Sequence, residues 1–450
     1  MSNDTLIPLL TDAVNRARAL GATYSDAVAV DHTEGSVRVR LGEIEEITRA
    51  RQKKVGLRII INGRQAISAS SDLRPSTIEK LVDDTFAMAK LTAADPVAGL
   101  PAAGLVGSND EAREGLADPE AEGFDLERGV AWAREAEVAA MTDDRITNSE
   151  GGNFGFSDGT RAYVGSHGAS DSYRTTSFGG WVIPIATVDG AMERDYHYSS
   201  RHYFADLESA AEIGRIAAER TLRRLGARRA KTGKVPVIFD QRMASSLLGY
   251  FAGAASGYAL YRGASYLANR LGKSVASANV TIVDNGGLPG GPGSRPYDGE
   301  GLASRENVIV AEGTLEGLLL DAYSGRKLGM ESTGNATRSV GDAPTAGPSN
   351  FHMLAGEVSA ESLFDGVKEG FYVTELIGYG VNATTGDYSQ GASGLWIVDG
   401  KVSHAVNEVT IAGNLLTMLQ DIELVADDLD VHQAVSAPSF RISELMVAGE

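Results

Sequence analysis

The sequence predicts an α+β protein. Its N-terminal α/β domain has a meander sheet with flanking helices, and its C-terminal domain has twisted, mostly antiparallel β-sheets with a few helices. Three observations carry this reading. Leu6, Leu9, Leu10, Ala13, Val14, Ala17 and Leu20 recur at helical spacing, with Gly21 just past the end. Asn62-Gly63 stands between two apolar runs, a hairpin signal. After Val235 the strand-like runs alternate and are joined by short turns, which favours antiparallel pairing over βαβ units.

The first unit, 1–92, opens with a helix over about 4–20. Strand-like runs DAVAVD, GSVRVRLG, EEITRA and KVGLRIIINGRQAISAS follow, and a helix from about Ser76 to Leu91 closes it. Residues 93–125 are rich in Ala, Gly, Pro and acids with weak periodicity, which reads as a linker or surface excursion. A middle α+β region, 126–228, holds a helix over 126–142. Short strands then run through GNFGFSDGTRAYVGSHG and SFGGWVIPIATVDG, and a long helix follows from about Asp206 to Leu225. RRLGARRAKTGK, Arg223 to Lys234, reads either as a patch for an acidic partner or as a solvated helix end and linker. The C-terminal β-rich domain covers 232–450. It starts with the strand VPVIF and a helix of small and apolar residues that Asp240 can cap.

Bulk properties exclude several classes. The 450-residue chain carries a formal net charge of −19, which opposes non-specific nucleic-acid binding and docking on an anionic membrane. With no cysteine, thiol catalysis, disulfides, iron–sulfur clusters and Cys-rich zinc sites are absent. MSNDTLIPLLTDAVNRARAL lacks the layout of a signal peptide, and no run of about 18 apolar residues exists. The expectation is a cytoplasmic protein that binds neither nucleic acid nor membrane.

The chemical motifs are weak one by one. GFSDG, Gly155 to Gly159, matches G-x-S-x-G but lacks the apolar strand before it and the helix after it that a nucleophile elbow requires. His197 and His202 lie five apart with Glu193 and Asp195 upstream. They offer a metal site only if a third ligand joins them on one surface. LGKS, Leu271 to Ser274, lacks the earlier glycine of a P-loop. The dense glycine loop, Gly286 to Gly301, is not a dinucleotide loop. It reads either as a loop that contacts an extended peptide or partner, or as a wide connection between strands.

Taken together, GSRPYDGEG (293–301), LLLDAYSGRKLGMESTGNA (318–336), GDYSQGASGLWIVDGKVSHAVNEVTIAGN (386–414) and APSFRISELMVAG (437–449) resemble the TldD/PmbA family in order and spacing. The resemblance covers nearly the whole chain. In that family the TldD branch resembles zinc peptidases and carries HExxxH on the helix after a PV strand, with a later Cys as a further ligand. The PmbA branch, also called TldE, keeps the architecture without that motif. On PVIFDQRMASSLLGYFAGAASG the motif's His, Glu and His fall on Gly249, Tyr250 and Ala254, so the resemblance is to the PmbA branch.

The resemblance implies no metal and no catalytic residue in this chain, and zinc in a TldD-like catalytic partner. It implies a cytoplasmic complex that cleaves small or unfolded peptides in an enclosed space. Candidate peptide or partner contacts are Arg295, Asp298, Glu300, Arg326 and Asn335, all polar residues inside the family-like motifs. The glycines and alanines of the mute helix suit close packing by another element. The rival expectation is a standalone homo-oligomer, a homodimer for example, that binds peptides or regulates gyrase through protein contacts. A third is an enzyme that uses the His197/His202 pair.

Overall fold

The computed structural model describes residues 6–449, so residues 4 and 5 of the expected first helix lie outside the described residues. The N-terminal half runs α1 (Leu6–Ala19), β1 (Tyr24–Arg40), β2 (Glu43–Ile61), β3 (Arg64–Ser70), α2 (Pro75–Ala89), α3 (Leu126–Ala140), β4 (Ile146–Gly165), β5 (Ser170–Val188), β6 (Ala191–Arg194), β7 (His197–Arg201) and α4 (Ala210–Leu222). Its strands form one antiparallel seven-stranded sheet in the order β3-β2-β1-β4-β5-β6, and β7 also pairs with β5. Asn62 and Gly63 take positive φ of 49° and 79°, which matches the tight primed turn between twisted strands. The segments 1–92 and 126–228 therefore share one sheet, because β1 pairs with β4 from Asp26↔Gly165 to Val39↔Gly152.

Strand alternation assigns the two faces of this sheet. Ala27, Ala29, Val37 and Val39 of β1 point to the helices: the first two pack with α1 and α2, the last two with α3 and α4. Val28 points the other way and packs with Tyr163, Tyr297 and Val340, so that face meets the C-terminal half.

Glycine misleads the sequence reading of β4. The expected short strands are one 20-residue strand, and GFSDG lies in its middle, paired on both sides, so no elbow forms. Several glycines mark crowding. A Cβ on Gly152 would overlap the Ala133 carbonyl, and one on Gly180 of β5 would overlap the Trp132 ring.

The C-terminal half runs β8 (Gly233–Phe239), α5 (Gln241–Ala254), α6 (Gly257–Tyr261), β9 (Ile282–Asn285), β10 (Glu306–Ala311), β11 (Thr314–Leu315), α7 (Ala322–Leu328), β12 (Ala336–Thr337), β13 (Thr345–Ala346), β14 (Phe351–Met353), β15 (Glu369–Ile377), β16 (Asp387–Val398), β17 (Lys401–Asn414), α8 (Leu415–Gln420), β18 (Ile422–Val425), β19 (Val435–Ser436) and β20 (Phe440–Ala448). A six-stranded sheet, β17-β16-β15-β8-β20-β18, curls until β17 also pairs with β20. A five-stranded sheet, β11-β10-β9-β14-β19, faces it across α5. Pairing is antiparallel apart from β8–β15 and β14–β19, whose partners are far apart in the chain. Among the described residues no helix is long and apolar enough to cross a membrane.

Residues 93–125, expected as a linker or surface excursion, form a packed strap. Leu100, Ala112, Leu116, Ala121 and Phe124 are buried in it. Asn109 N–H donates to the Pro296 carbonyl at 2.8 Å, and Gly290 N–H donates to the Glu114 carbonyl at 2.8 Å. The strap has few periodic positions because it follows a groove between the halves and not a sheet or helix face.

Candidate functional site

Two strands of the N-terminal sheet bring opposite charges together where the halves meet. Asp26 on β1 and Arg58 on β2 are direct cross-strand partners. Arg58 Nε and Nη2 donate to the two Asp26 oxygens at 3.0 and 2.6 Å, and both residues are buried. Tyr163 Oη on β4 donates to Asp26 Oδ2 at 2.9 Å. From the other half, Arg338 Nη1 lies 2.9 Å from the same oxygen, an ion pair by distance whose N–H is off the hydrogen-bond line. Burial alone raises the Asp26 carboxyl, but Arg338 and Arg58 outweigh it and hold the group well below the usual carboxylate range.

Glu300 joins this cluster from the glycine loop. Its Oε1 lies 3.4 Å from Arg58 Nη2, and its Oε2 accepts from Ala322 N–H at 2.8 Å. His167 Nε2 sits 2.9 Å from its carbonyl. Burial pushes the Glu300 carboxyl up to about 7, with Arg58 opposing and Asp298 and Asp321 adding to the rise.

The other candidate contacts have partners within the chain, with one exception. Asp298 Oδ1 accepts from the Glu300 and Leu302 N–H groups at 2.8 and 3.1 Å, and Oδ2 accepts from Ala336 N–H at 3.0 Å. Asn335 Nδ2 donates to Asp284 Oδ2 at 2.6 Å, and its Oδ1 accepts from Thr333 Oγ1 at 2.7 Å. Both residues are 1% exposed, so they build the wall of the seam and do not present free polar atoms. Arg326 grips the strap: it donates to the carbonyls of Val97, Leu100 and Gly99 at 2.8, 3.2 and 2.9 Å. Arg295 is the exception. Its Nε and Nη2 are buried and hydrogen-bond to nothing among the described residues.

The glycine loop is a seam element. A Cβ on Gly293 would overlap the Ser349 carbonyl. One on Gly301, where φ is +83°, would lie 2.6 Å from Ala169 Cβ. His202 is engaged there too, with Nδ1 2.6 Å from the Thr176 carbonyl and Nε2 3.1 Å from the Gly291 carbonyl. His197 instead sits between Glu208 Oε2, 3.0 Å away, and Arg220 Nη1, 2.9 Å away. The two histidines thus do not converge on one centre. Among the described residues no group of three or more His, Cys, Asp or Glu could hold a metal ion.

The mute helix, α5, is capped as its sequence indicates: Asp240 Oδ1 accepts from Met243 N–H at 2.9 Å. Met243, Ala244, Leu247, Leu248, Phe251, Ala252 and Ala254 are buried between the two sheets. The expectation of close packing fails at Gly249 and Gly253, where an added Cβ would meet nothing within 4 Å. These glycines, four apart, lie on an open side of the helix. Tyr250 is half-buried, with its Oη 3.4 Å from Gln390 Nε2. Gly249 and Ala254 carry no donor atom and no carboxylate stands here, so these residues do not fit a zinc ion.

Comparison with known proteins decides the family. Models described as PmbA/TldA metallopeptidase domain 1, central domain and C-terminal domain match residues 25–89, 119–225 and 232–449. The chain belongs to the PmbA/TldD family. Within it, the chain is 35% identical over 445 residues to metalloprotease PmbA of Escherichia coli O157:H7, covering 98% of this chain and 96% of that one. A TldD homologue from Haemophilus influenzae matches at 30% over 257 residues, 53% of each chain. Among solved structures, TldE from Thermococcus kodakarensis superposes with a TM-score of 0.86 at 21% identity, over 98% of this chain and 100% of that one. A Bacteroides thetaiotaomicron protein described as a candidate modulator of DNA gyrase reaches 0.92 at 24% identity, over the full length of both. These likenesses confirm the α+β fold of a PmbA/TldD chain.

Sequence reasoning missed Asp26, Arg58, Tyr163 and Arg338. A signal was present for two of them. Asp26 interrupts the apolar run YSDAVAV and Arg58 interrupts VGLRIII, and a charge inside a buried strand needs a partner.

Proposed function

We propose that this chain is a non-catalytic PmbA/TldE-like subunit of a cytoplasmic TldD-type zinc metallopeptidase that degrades or processes small or unfolded peptides. One observation carries the reading. The helix in the place of the family's zinc helix is intact, capped and packed, yet it presents Gly249, Tyr250 and Ala254 where a peptidase needs two ligands and a base. Its open side at Gly249 and Gly253 suits a surface that faces a lumen or a partner chain. Zinc and the activated water belong to a TldD-like catalytic subunit in this reading. This chain's part is to complete the chamber and limit access to it.

The test is to purify the tagged chain from its source cells and identify what co-elutes. An equimolar chain carrying HExxxH is the expected result. Recovery of this chain alone, as a stable oligomer, overturns the partnership and favours the standalone peptide-binding or regulatory protein.

A further inference from the structure

Arg161 on β4, Arg295 in the glycine loop and Arg338 beyond β12 line one cavity of about 520 Å³ at the seam between the halves. Arg295 contributes two buried N–H groups that hydrogen-bond to nothing among the described residues, and its charge is felt by the buried Asp298 carboxylate. Arg161 is without an ionic partner among the described residues; its Nη2 donates to the Arg338 carbonyl at 2.6 Å. The Arg338 side chain is wholly buried, with Nη1 paired to Asp26 and Nε donating to the Asp342 carbonyl at 3.1 Å, so it backs the cavity wall and leaves Arg161 and Arg295 as the guanidiniums that face a ligand. Desolvated guanidinium N–H groups without acceptors are costly in a fold, and planar carboxylates are the acceptors they match best.

The charge on the walls sets the ligand's charge. Asp298 and Asp342 line the same cavity with Arg161 and Arg295, while Arg338 is already paired with Asp26, so the wall is close to neutral and tolerates at most a single added negative charge. Asp298 is oriented by the backbone N–H groups of Glu300, Leu302 and Ala336 and makes no hydrogen bond with Arg295. A dianion such as phosphate would crowd these carboxylates; a monoanion would not. Tyr173 and Tyr297 meet edge to face, with ring centroids 5.4 Å apart. Tyr297 Oη donates to the Asp171 carbonyl at 3.0 Å and its ring is buried, so half-buried Tyr173 offers the aromatic surface. The volume exceeds what a carboxylate alone fills and leaves room for an adjoining stretch of chain.

We infer that the cavity faced by Arg161 and Arg295 binds the free C-terminal carboxylate of a peptide. This rests on the reading that the protein handles peptides, and it adds which end is held and by what. An acidic side chain offers the same chemistry, so the test must separate the two sources.

The test uses the protein as purified from its source cells, with whatever co-elutes. Binding of a dye-labelled penta-alanine is measured by anisotropy as the free acid, as the C-terminal amide, and as an amide carrying one internal glutamate. The free acid should bind about tenfold more tightly than either amide, and the difference should shrink as salt rises. Arg295→Met should abolish the preference with an unchanged circular dichroism spectrum, since no side-chain hydrogen bond is lost and only the attraction to Asp298 goes. Arg295→Lys should restore it in part. Equal binding of acid and plain amide overturns the inference while leaving the peptide reading intact. Equal binding of acid and glutamate amide overturns the assignment to the C-terminus. Binding of none of the three overturns the inference, whereas the partnership reading stands or falls on co-elution alone.

Discussion

Glu300 and Asp26 lie on the same buried guanidinium, Arg58, yet they respond to pH in opposite ways. Asp26 is held ionised, so its contribution to stability is present above the ordinary carboxylate value of 3.8 and is lost as pH falls below it. Glu300 has its folded-state value raised from 4.5 to about 7, so the fold prefers its protonated form. Stability should therefore fall as pH rises from about 4.5 to 7, by roughly 3 kcal/mol at most. Urea unfolding of the wild type between pH 5 and 8 should show this decline. Glu300→Gln should flatten it in that window and leave the acid limb below pH 4 in place. A wild-type midpoint that stays level from pH 5 to 8 would sink the assignment. Asp26 left a trace in the chain as a charge inside an apolar run, but neither carboxylate's partner was readable there. Glu300 was singled out for its motif, but the motif does not show that Arg58, 242 positions away, would come to meet it.

Glycines in helices and strands show how far an element can be read from its letters. In α5 the cap and the buried stripe follow from spacing: Asp240 precedes the first turn, and Met243, Leu247, Leu248 and Phe251 fall on one side. What Gly249 and Gly253 face cannot be read this way, because a glycine marks tight contact and open space with the same letter. The structure gives open space, so Gly249→Ala and Gly253→Ala should each stabilise the isolated chain by about 1 kcal/mol. Thermal unfolding checks this. If that side faces a partner, the double variant should also co-purify less of it. Gly152→Ala should do the reverse and destabilise the fold, because the new methyl group meets the Ala133 backbone. The same ambiguity explains why β4 looked like several short strands: Gly152, Gly155 and Gly159 read as turns yet pair as extended strand, and Gly151, with φ of 104°, marks only a bulge within it.

At the scale of the molecule, the strap over 93–125 ties the halves together, and Arg326 is its clasp. Arg326→Ala removes three hydrogen bonds to strap carbonyls while leaving the sheets untouched. Limited trypsin digestion should then cut faster at Arg113, with an unchanged circular dichroism spectrum; equal rates would show that burial of Leu100 and Leu116 holds the strap alone. The family-like motifs indicated the architecture as a whole, whereas the strap's path depended on a groove that only the assembled halves create.

The pairing of β1 with β4 also sets a timetable for synthesis. When β1, β2 and β3 leave the ribosome, the side of β1 that β4 will cover is still bare, and it stays so until Gly165 has emerged. At about 5–20 residues per second that interval is on the order of ten seconds. During it the nascent chain carries a 17-residue strand with an unsatisfied edge, open to pairing with a neighbour on the same messenger. The fold thus places one exposure to misassembly early in translation, before any of the C-terminal half exists.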